Sequence, residues 1–203
     1  MRFPGKTTMR YPTLLLALAL APVGGVWAAE TPGTVRGTVT VTKQKTNANA
    51  VVSIEAPGLA FTPPAEPLRI DQKGFRFIPH ITLVVPGTTI RFLNNDPEPH
   101  NVYSPEGRYN LGTWPTGETR DHVFDKPGIF TQLCNIHPDM LAYVVVVETP
   151  YFAVTDADGR FEVKGVPPGK YLVWAWHEKK DGLEREITVE AGQVLDLDLV
   201  IER

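Results

Sequence analysis

From Thr34 onward the chain alternates apolar and polar residues with a period of two, in short runs. That period puts neighbouring side chains on opposite faces of an extended backbone, so each run predicts a strand with one face buried. "TVRGTVTV" (Thr34–Val41) and "AVVSIEA" (Ala50–Ala56) make a first pair, joined by the polar "TKQKTNAN". "PGLAFTPPAEP" (57–67) then interrupts the pattern with four prolines and a glycine, which predicts a long loop or linker. Further strands are expected near Phe75–Ile78, Ile81–Val85, Thr89–Leu93, Asn101–Tyr103, Asp121–Phe124, Ile129–Leu133 and Ala142–Val147. "VVPGTT" and "FDKPGIF" read as turns between them. A last block opens at Tyr151. Its "VTDADGRFEV" is strand, Asp-Gly turn, strand, and its end alternates through Leu195, Leu197, Leu199 and Ile201. No helix of ordinary length stands out, so the expected class is all-β.

The middle run has enough strands for a β-sandwich, whereas the last block has too few to close one. The first two strands are surplus to the middle run. Together they predict a discontinuous outer domain, 29–60 with 149–203, and a middle domain over 66–148 inserted into one of its loops. Such insertions are tolerated because domain termini often lie close together.

Before the strands stands a different pattern. Arg2, Lys6 and Arg10 precede "LLLALALA" (Leu14–Ala21), an apolar run too short to span a bilayer. A breaking "PVGG" and then Val26, Trp27 and Ala28 follow. Residues 1–28 are thus expected to be a secretory signal cut near Ala28, which predicts a periplasmic or secreted protein. An uncleaved membrane anchor is the other reading. No later segment is apolar and long enough to cross as a helix.

Removing the signal changes the charge. Lys plus Arg is 20 in the whole chain against 23 Asp plus Glu, a net of −3. Without the three leader cations the balance is 17 against 23, about −6. Nucleic acid is an unsuitable partner, since it needs clustered cations.

One cysteine cannot form an internal disulfide, and in an oxidising compartment a single thiol is buried, paired with another chain, or used. Cys134 opens "CNIHPDM", with His137 three residues on and Met140 three beyond that. Thiolate, imidazole and thioether together select copper over magnesium or calcium. A mononuclear electron-transfer copper site needs a second imidazole, and "NNDPEPHNVYS" offers His100 at the start of a predicted strand. Each of these residues taken alone has an ordinary structural reading: a small buried hydrophobe, a core methionine, a loop histidine. The four together point to copper. Zinc is the rival metal, but structural zinc sites rarely use methionine.

"GFRFIPHITLVVPGTTIRFLNNDPEPHNVYS" and "DKPGIFTQLCNIHPDMLAYVVVV" resemble the cupredoxins, the blue-copper fold of plastocyanin, pseudoazurin and amicyanin. The shared elements are F-x-P, P-G-T-T-I-x-F, Pro99-His100-Asn101, P-G-x-F and C-x-x-H-x-x-M. The resemblance covers Leu68 to Glu148 and implies a Greek-key sandwich holding one type 1 copper ion. His100, Cys134, His137 and an axial Met140 would be its ligands. It assigns Asn101 the role of tying the two ligand loops together. "GTVRGTVTV", "ANAVVSIEAPG" and "YFAVTDADGRFEVKGVPPGKYLVWAWHE" resemble the carboxypeptidase regulatory-like, transthyretin-like sandwich. That second resemblance implies a non-catalytic accessory or adhesion module, and the outer domain is expected to bind protein or carbohydrate.

The favoured function is an exported copper electron carrier that passes electrons to a redox protein such as a c-type cytochrome. The other reading is a copper-binding or cell-surface module in which copper serves storage, sensing or stability. An enzyme is not expected: no second histidine cluster and no G-x-S-x-G motif is present. The remaining histidines read as ordinary. His80 is expected in a turn, His122 on an exposed strand face, and His177 at a solvated strand end. Trp174 and Trp176, two apart on one strand face, predict core packing first and a carbohydrate-stacking patch second.

Overall fold

The computed structural model describes residues 31–202, so the expected signal over 1–28 lies outside the described residues. The all-β expectation holds: among the described residues every regular element is a strand. Strands β1 (Gly33–Val41) and β2 (Val51–Glu55) come first. Next are β3 (Leu68–Gln72), β4 (Phe77–Ile78), β5 (Ile81–Val84), β6 (Thr88–Asn94) and β7 (His100–Ser104). Then follow β8 (Tyr109–Trp114), β9 (Thr119–Phe124), β10 (Gly128–Leu133) and β11 (Leu141–Val146). The chain closes with β12 (Phe152–Val154), β13 (Arg160–Val166), β14 (Gly169–His177), β15 (Lys180–Val189), β16 (Val194–Asp196) and β17 (Leu199–Ile201).

Four sheets result. One has the order β13-β1-β16, with β17 also on β1, and a second has β12-β2-β14-β15. Their facing residues, among them Val35, Val39, Val52, Ile54, Phe161, Val173 and Leu199, share one apolar core. The other two sheets run β5-β11-β10-β7-β8 and β4-β3-β6-β9. Ile70, Ile90, Phe92, Val102, Trp114, Phe124 and Val144 fill the space between them. Each fully buried side chain of this size contributes about 1.5–3 kcal/mol, so both cores are substantial.

Two glycines in the first sandwich are dictated by close approach. A Cβ at Gly37 would lie 1.9 Å from the Leu197 carbonyl oxygen, because the break between β16 and β17 crosses the middle of β1 there. This break also splits the expected Leu195–Ile201 strand in two. Gly159 closes the predicted Asp-Gly turn at φ 84°, and a Cβ on it would meet the Val39 carbonyl oxygen at 2.3 Å.

Strands β3 and β8 lie in stretches where no strand was expected. Leu68–Gln72 follows the proline-rich loop and is held as a parallel neighbour of β6. Tyr109–Trp114 exposes several of its residues and pairs with β7 across a register shift. Both alternate, but faintly: β3 buries only Ile70 and Gln72, a polar residue, and β8 half-buries Tyr109 and Leu111 between exposed Asn110 and Gly112.

A third apolar cluster lies where the two sandwiches meet. Val51, Ile81, Leu83, Val145 and Val147 are buried there, with Tyr143, Phe152, Trp174 and Trp176 packed against them. It explains three unbroken runs: Val51–Ile54, Ile81–Val84 and Val144–Val147 are buried residue after residue. One face of β2, β5 and β11 fills its own core and the other fills the seam, so alternation disappears. Trp174 and Trp176 stack at 6.5 Å between ring centroids, and Tyr143 meets Trp176 edge-on at 5.4 Å. They therefore pack as expected, but in this seam and not in the outer core.

Two histidines also depart from expectation. His177 is buried, not solvated, and burial pushes its pKa down. His122 is half-buried on Tyr109, 3.8 Å between ring centroids, and burial lowers its pKa too. His80 is part of the seam: Nδ1 lies 3.1 Å from the Leu141 carbonyl oxygen and Nε2 lies 3.2 Å from a Glu178 carboxylate oxygen.

Candidate metal centre

His100 opens β7, and Cys134 follows directly on the last residue of β10. Leu133 pairs with Tyr103, so these two strands are neighbours and their ends bring the two residues to one end of the sandwich. The chain between β10 and β11 is the "CNIHPDM" loop. It is closed by the Met140 N–H, which donates to the His137 carbonyl oxygen at 3.0 Å. His100, Cys134 and His137 each offer one ligand atom, and these atoms all lie within 4.8 Å of one another. Met140 is buried in the same apolar cluster as Cys134.

The two imidazoles differ in access. The His100 side chain is 0% exposed and that of His137 is 24% exposed, so only His137 reaches solvent. Their Nδ1 atoms face each other at 3.0 Å, and their ring planes meet edge-on at 4.8 Å between centroids. The His137 Nε2 lies 3.8 Å from a carboxylate oxygen of Glu98.

Asn101 joins the two ligand segments. Its Oδ1 accepts the Asn135 N–H at 3.1 Å, one residue beyond each of His100 and Cys134. Its Nδ2 donates to Asn110 Oδ1 at 2.8 Å and to the Gly112 carbonyl oxygen at 3.0 Å. All polar atoms of the side chain are thus engaged, as a buried amide requires.

Two neighbours of the cluster escaped the sequence reading. Asp96 is buried, and its Oδ2 lies 2.7 Å from Nε2 of His100. The same carboxylate accepts the Gly74 N–H at 2.5 Å and the Phe75 N–H at 2.9 Å. Burial alone would raise its pKa, but the Phe75 and Gly74 amides and then His100 outweigh that and hold it below the ordinary value. Phe75 sits at φ 57°, a left-handed conformation that costs a bulky residue about 1–3 kcal/mol. Its ring stands edge-on to both imidazoles, 5.8 Å from His100 and 5.0 Å from His137. A carboxylate four residues before a candidate ligand was a readable signal for Asp96. Phe75 had none, since its contacts lie more than twenty residues away in sequence.

Comparisons with known proteins find both parts of the resemblance again. A family model described as "Carboxypeptidase regulatory-like domain" matches residues 140–202. That match takes in β11 of the middle sandwich and leaves out β1 and β2. Among solved structures, a purple cupredoxin from Nitrosopumilus maritimus is similar at 26% identity, covering 39% of this chain and 99% of its own, with a TM-score of 0.36. A copper-containing nitrite reductase from Thermus scotoductus SA-01 is similar at 24% identity, over 48% of this chain and 26% of the reductase, with a TM-score of 0.40. A reduced amicyanin variant is similar at 20% identity, over 47% of this chain and 98% of amicyanin, with a TM-score of 0.39. No curated protein matches the sequence.

Proposed function

We propose that this chain is an exported electron carrier with one copper ion held by His100, Cys134, His137 and an axial Met140. The observation that carries the reading is the convergence of two imidazoles and one thiol within 4.8 Å, with His100 and Cys134 buried and His137 partly exposed. The donor set fits copper: a soft sulfur with two imidazoles suits it, whereas calcium and magnesium require oxygen ligands. Bound copper would supply a one-electron couple between Cu(II) and Cu(I).

The chain's own residues do the rest. Asn101 fixes the spacing between the two ligand segments. The apolar surroundings of Cys134 and Met140 exclude water from the sulfur side. His137 presents its ring edge to solvent beside the exposed Ile136 and Phe75. That patch is where a redox protein such as a c-type cytochrome would dock. In the same reading, residues 1–28 direct export. The chain then folds as an outer sandwich from 29–60 and 149–203 with the copper sandwich, 66–148, inserted in it.

The test is an optical and EPR spectrum of the copper-loaded protein, followed by voltammetry. An intense sulfur-to-copper charge-transfer band and a fast reversible couple are expected. A colourless Cu(II) complex would sink the site, and slow exchange with chelator-labile metal would favour storage over electron transfer.

A further inference from the structure

We propose that Asp96 is a positioning residue of the metal centre, one that presents His100 to the metal and clamps Phe75 over both imidazoles. The proposal rests on the copper reading above.

The first half follows from the chemistry of a histidine ring. A neutral imidazole carries one proton, and a carboxylate can only accept. With Asp96 Oδ2 2.7 Å from Nε2, the proton of His100 belongs on Nε2. That leaves the Nδ1 lone pair bare, and Nδ1 is the atom that faces His137. His100 is therefore held in the tautomer that a metal needs before any metal arrives. In the metal-free chain the Nδ1–H of His137 donates to it across the 3.0 Å gap. A carboxylate on the far nitrogen also makes the ring a more basic ligand, which favours Cu(II) over Cu(I).

The second half follows from where the other hydrogen bonds of the same carboxylate go. Gly74 and Phe75 donate consecutive backbone N–H groups to it. Hydrogen bonds to a buried charge are the strong ones, and they hold Phe75 at its left-handed φ of 57°. That turn places the ring edge-on to both imidazoles. Asp96 is itself anchored: its N–H donates to Asn94 Oδ1 at 3.0 Å, and the Thr116 hydroxyl donates to its carbonyl oxygen. One side chain thus orients the buried ligand and seats the lid above it.

The test has a metal-free arm and a loaded arm. In the metal-free protein, long-range nitrogen–proton NMR should find His100 as the Nε2–H tautomer, with the Gly74 and Phe75 amides protected from exchange. A proton on Nδ1 of His100, or unprotected amides, would overturn the proposal. In the loaded arm, Asp96→Asn should lose about 10–100-fold in Cu(II) affinity. Its Cu(I) affinity should move less, so its reduction potential should rise. Unchanged affinities and potential would leave Asp96 a mere turn stabiliser. Should Asp96→Asn fail to fold, Phe75→Gly decides, because its φ suits glycine. It should release copper to a chelator faster than the parent, and an equal rate overturns the lid. If the unaltered protein shows the expected tautomer yet binds no copper, the copper reading fails and the proposed role with it. The intact tautomer then marks the failure as the metal's and not that of the Asp96 geometry.

Discussion

The outer sandwich fills its interior mainly with aliphatic side chains such as Val35, Val39, Ile54 and Val173, and buries few polar ones, Ser53, Thr155 and His177 among them. The middle sandwich, by contrast, buries Gln72, Asn94, Asp96, His100, Asn101 and Gln132 beside its apolar residues. A buried polar group costs stability unless it is hydrogen-bonded, and the side chains of all six have a partner at 3.1 Å or less, although Oε1 of Gln72 has none. The difference teaches where precision is needed. An aliphatic interior tolerates small repacking, whereas a polar network holds a few atoms in one place. In the middle sandwich that network holds Nε2 of His100 on Asp96 and ties the residue after His100 to the residue after Cys134.

The contrast can be broken most severely at the metal centre. Cys134→Ser should abolish the intense charge-transfer absorption of the copper-loaded protein, and a variant that kept the colour would refute the assignment. In the outer core, Ile54→Ala should lower unfolding stability by about 2–5 kcal/mol while leaving the copper spectrum untouched. Denaturant unfolding of the loaded protein, read by colour and by circular dichroism, checks both halves of that expectation. Asn101→Ala should have an intermediate effect, about 1–3 kcal/mol from the N–H of Asn135 left unpaired. It should also weaken metal binding, unlike the outer-core variant.

The smallest effect is on pH dependence, and here the two sandwiches should behave alike. His177 in the outer unit and His122 in the middle one both have pKa values lowered by burial from the ordinary 6.5. The unfolded chain therefore binds more protons than the folded one as pH falls through this range. Each histidine contributes stability that is fully present above about 6.5 and is lost as pH falls through its lower folded value. Urea midpoints of the metal-free protein should drop between pH 7.5 and pH 5, and less steeply in a His122→Asn, His177→Asn double variant. An equal slope in parent and variant would exclude these two histidines as the cause.

Much of the fold was legible because one-sided burial leaves a period of two. β6, with Thr88, Ile90, Phe92 and Asn94 buried and the residues between them half-exposed, shows that imprint clearly. The strands buried on both faces, β5 and β11, were legible as apolar runs, but nothing in them said what covered the second face. β8 was missed because its imprint is short and weak: Tyr109 and Leu111 are only half-buried, and Gly112 and Thr113 follow exposed. At the candidate site, the spacing of Cys134, His137 and Met140 was visible in seven residues. His100, thirty-four positions upstream of Cys134, came into view only as the second imidazole such a site needs, and the resemblance then supported it.

By itself, the sequence determined the all-β class, the Asp-Gly turn at Gly159 and a compact run of sulfur and nitrogen donors. These are local matters, written in periodicity and in short spacings. Tertiary structure decided that Trp174 and Trp176 fill a seam between sandwiches, that His177 is buried, and that one carboxylate holds both His100 and the Phe75 turn. Those outcomes depend on which surfaces meet. Contacts between residues far apart in the chain arise from the packing of whole sheets, and no local pattern encodes them.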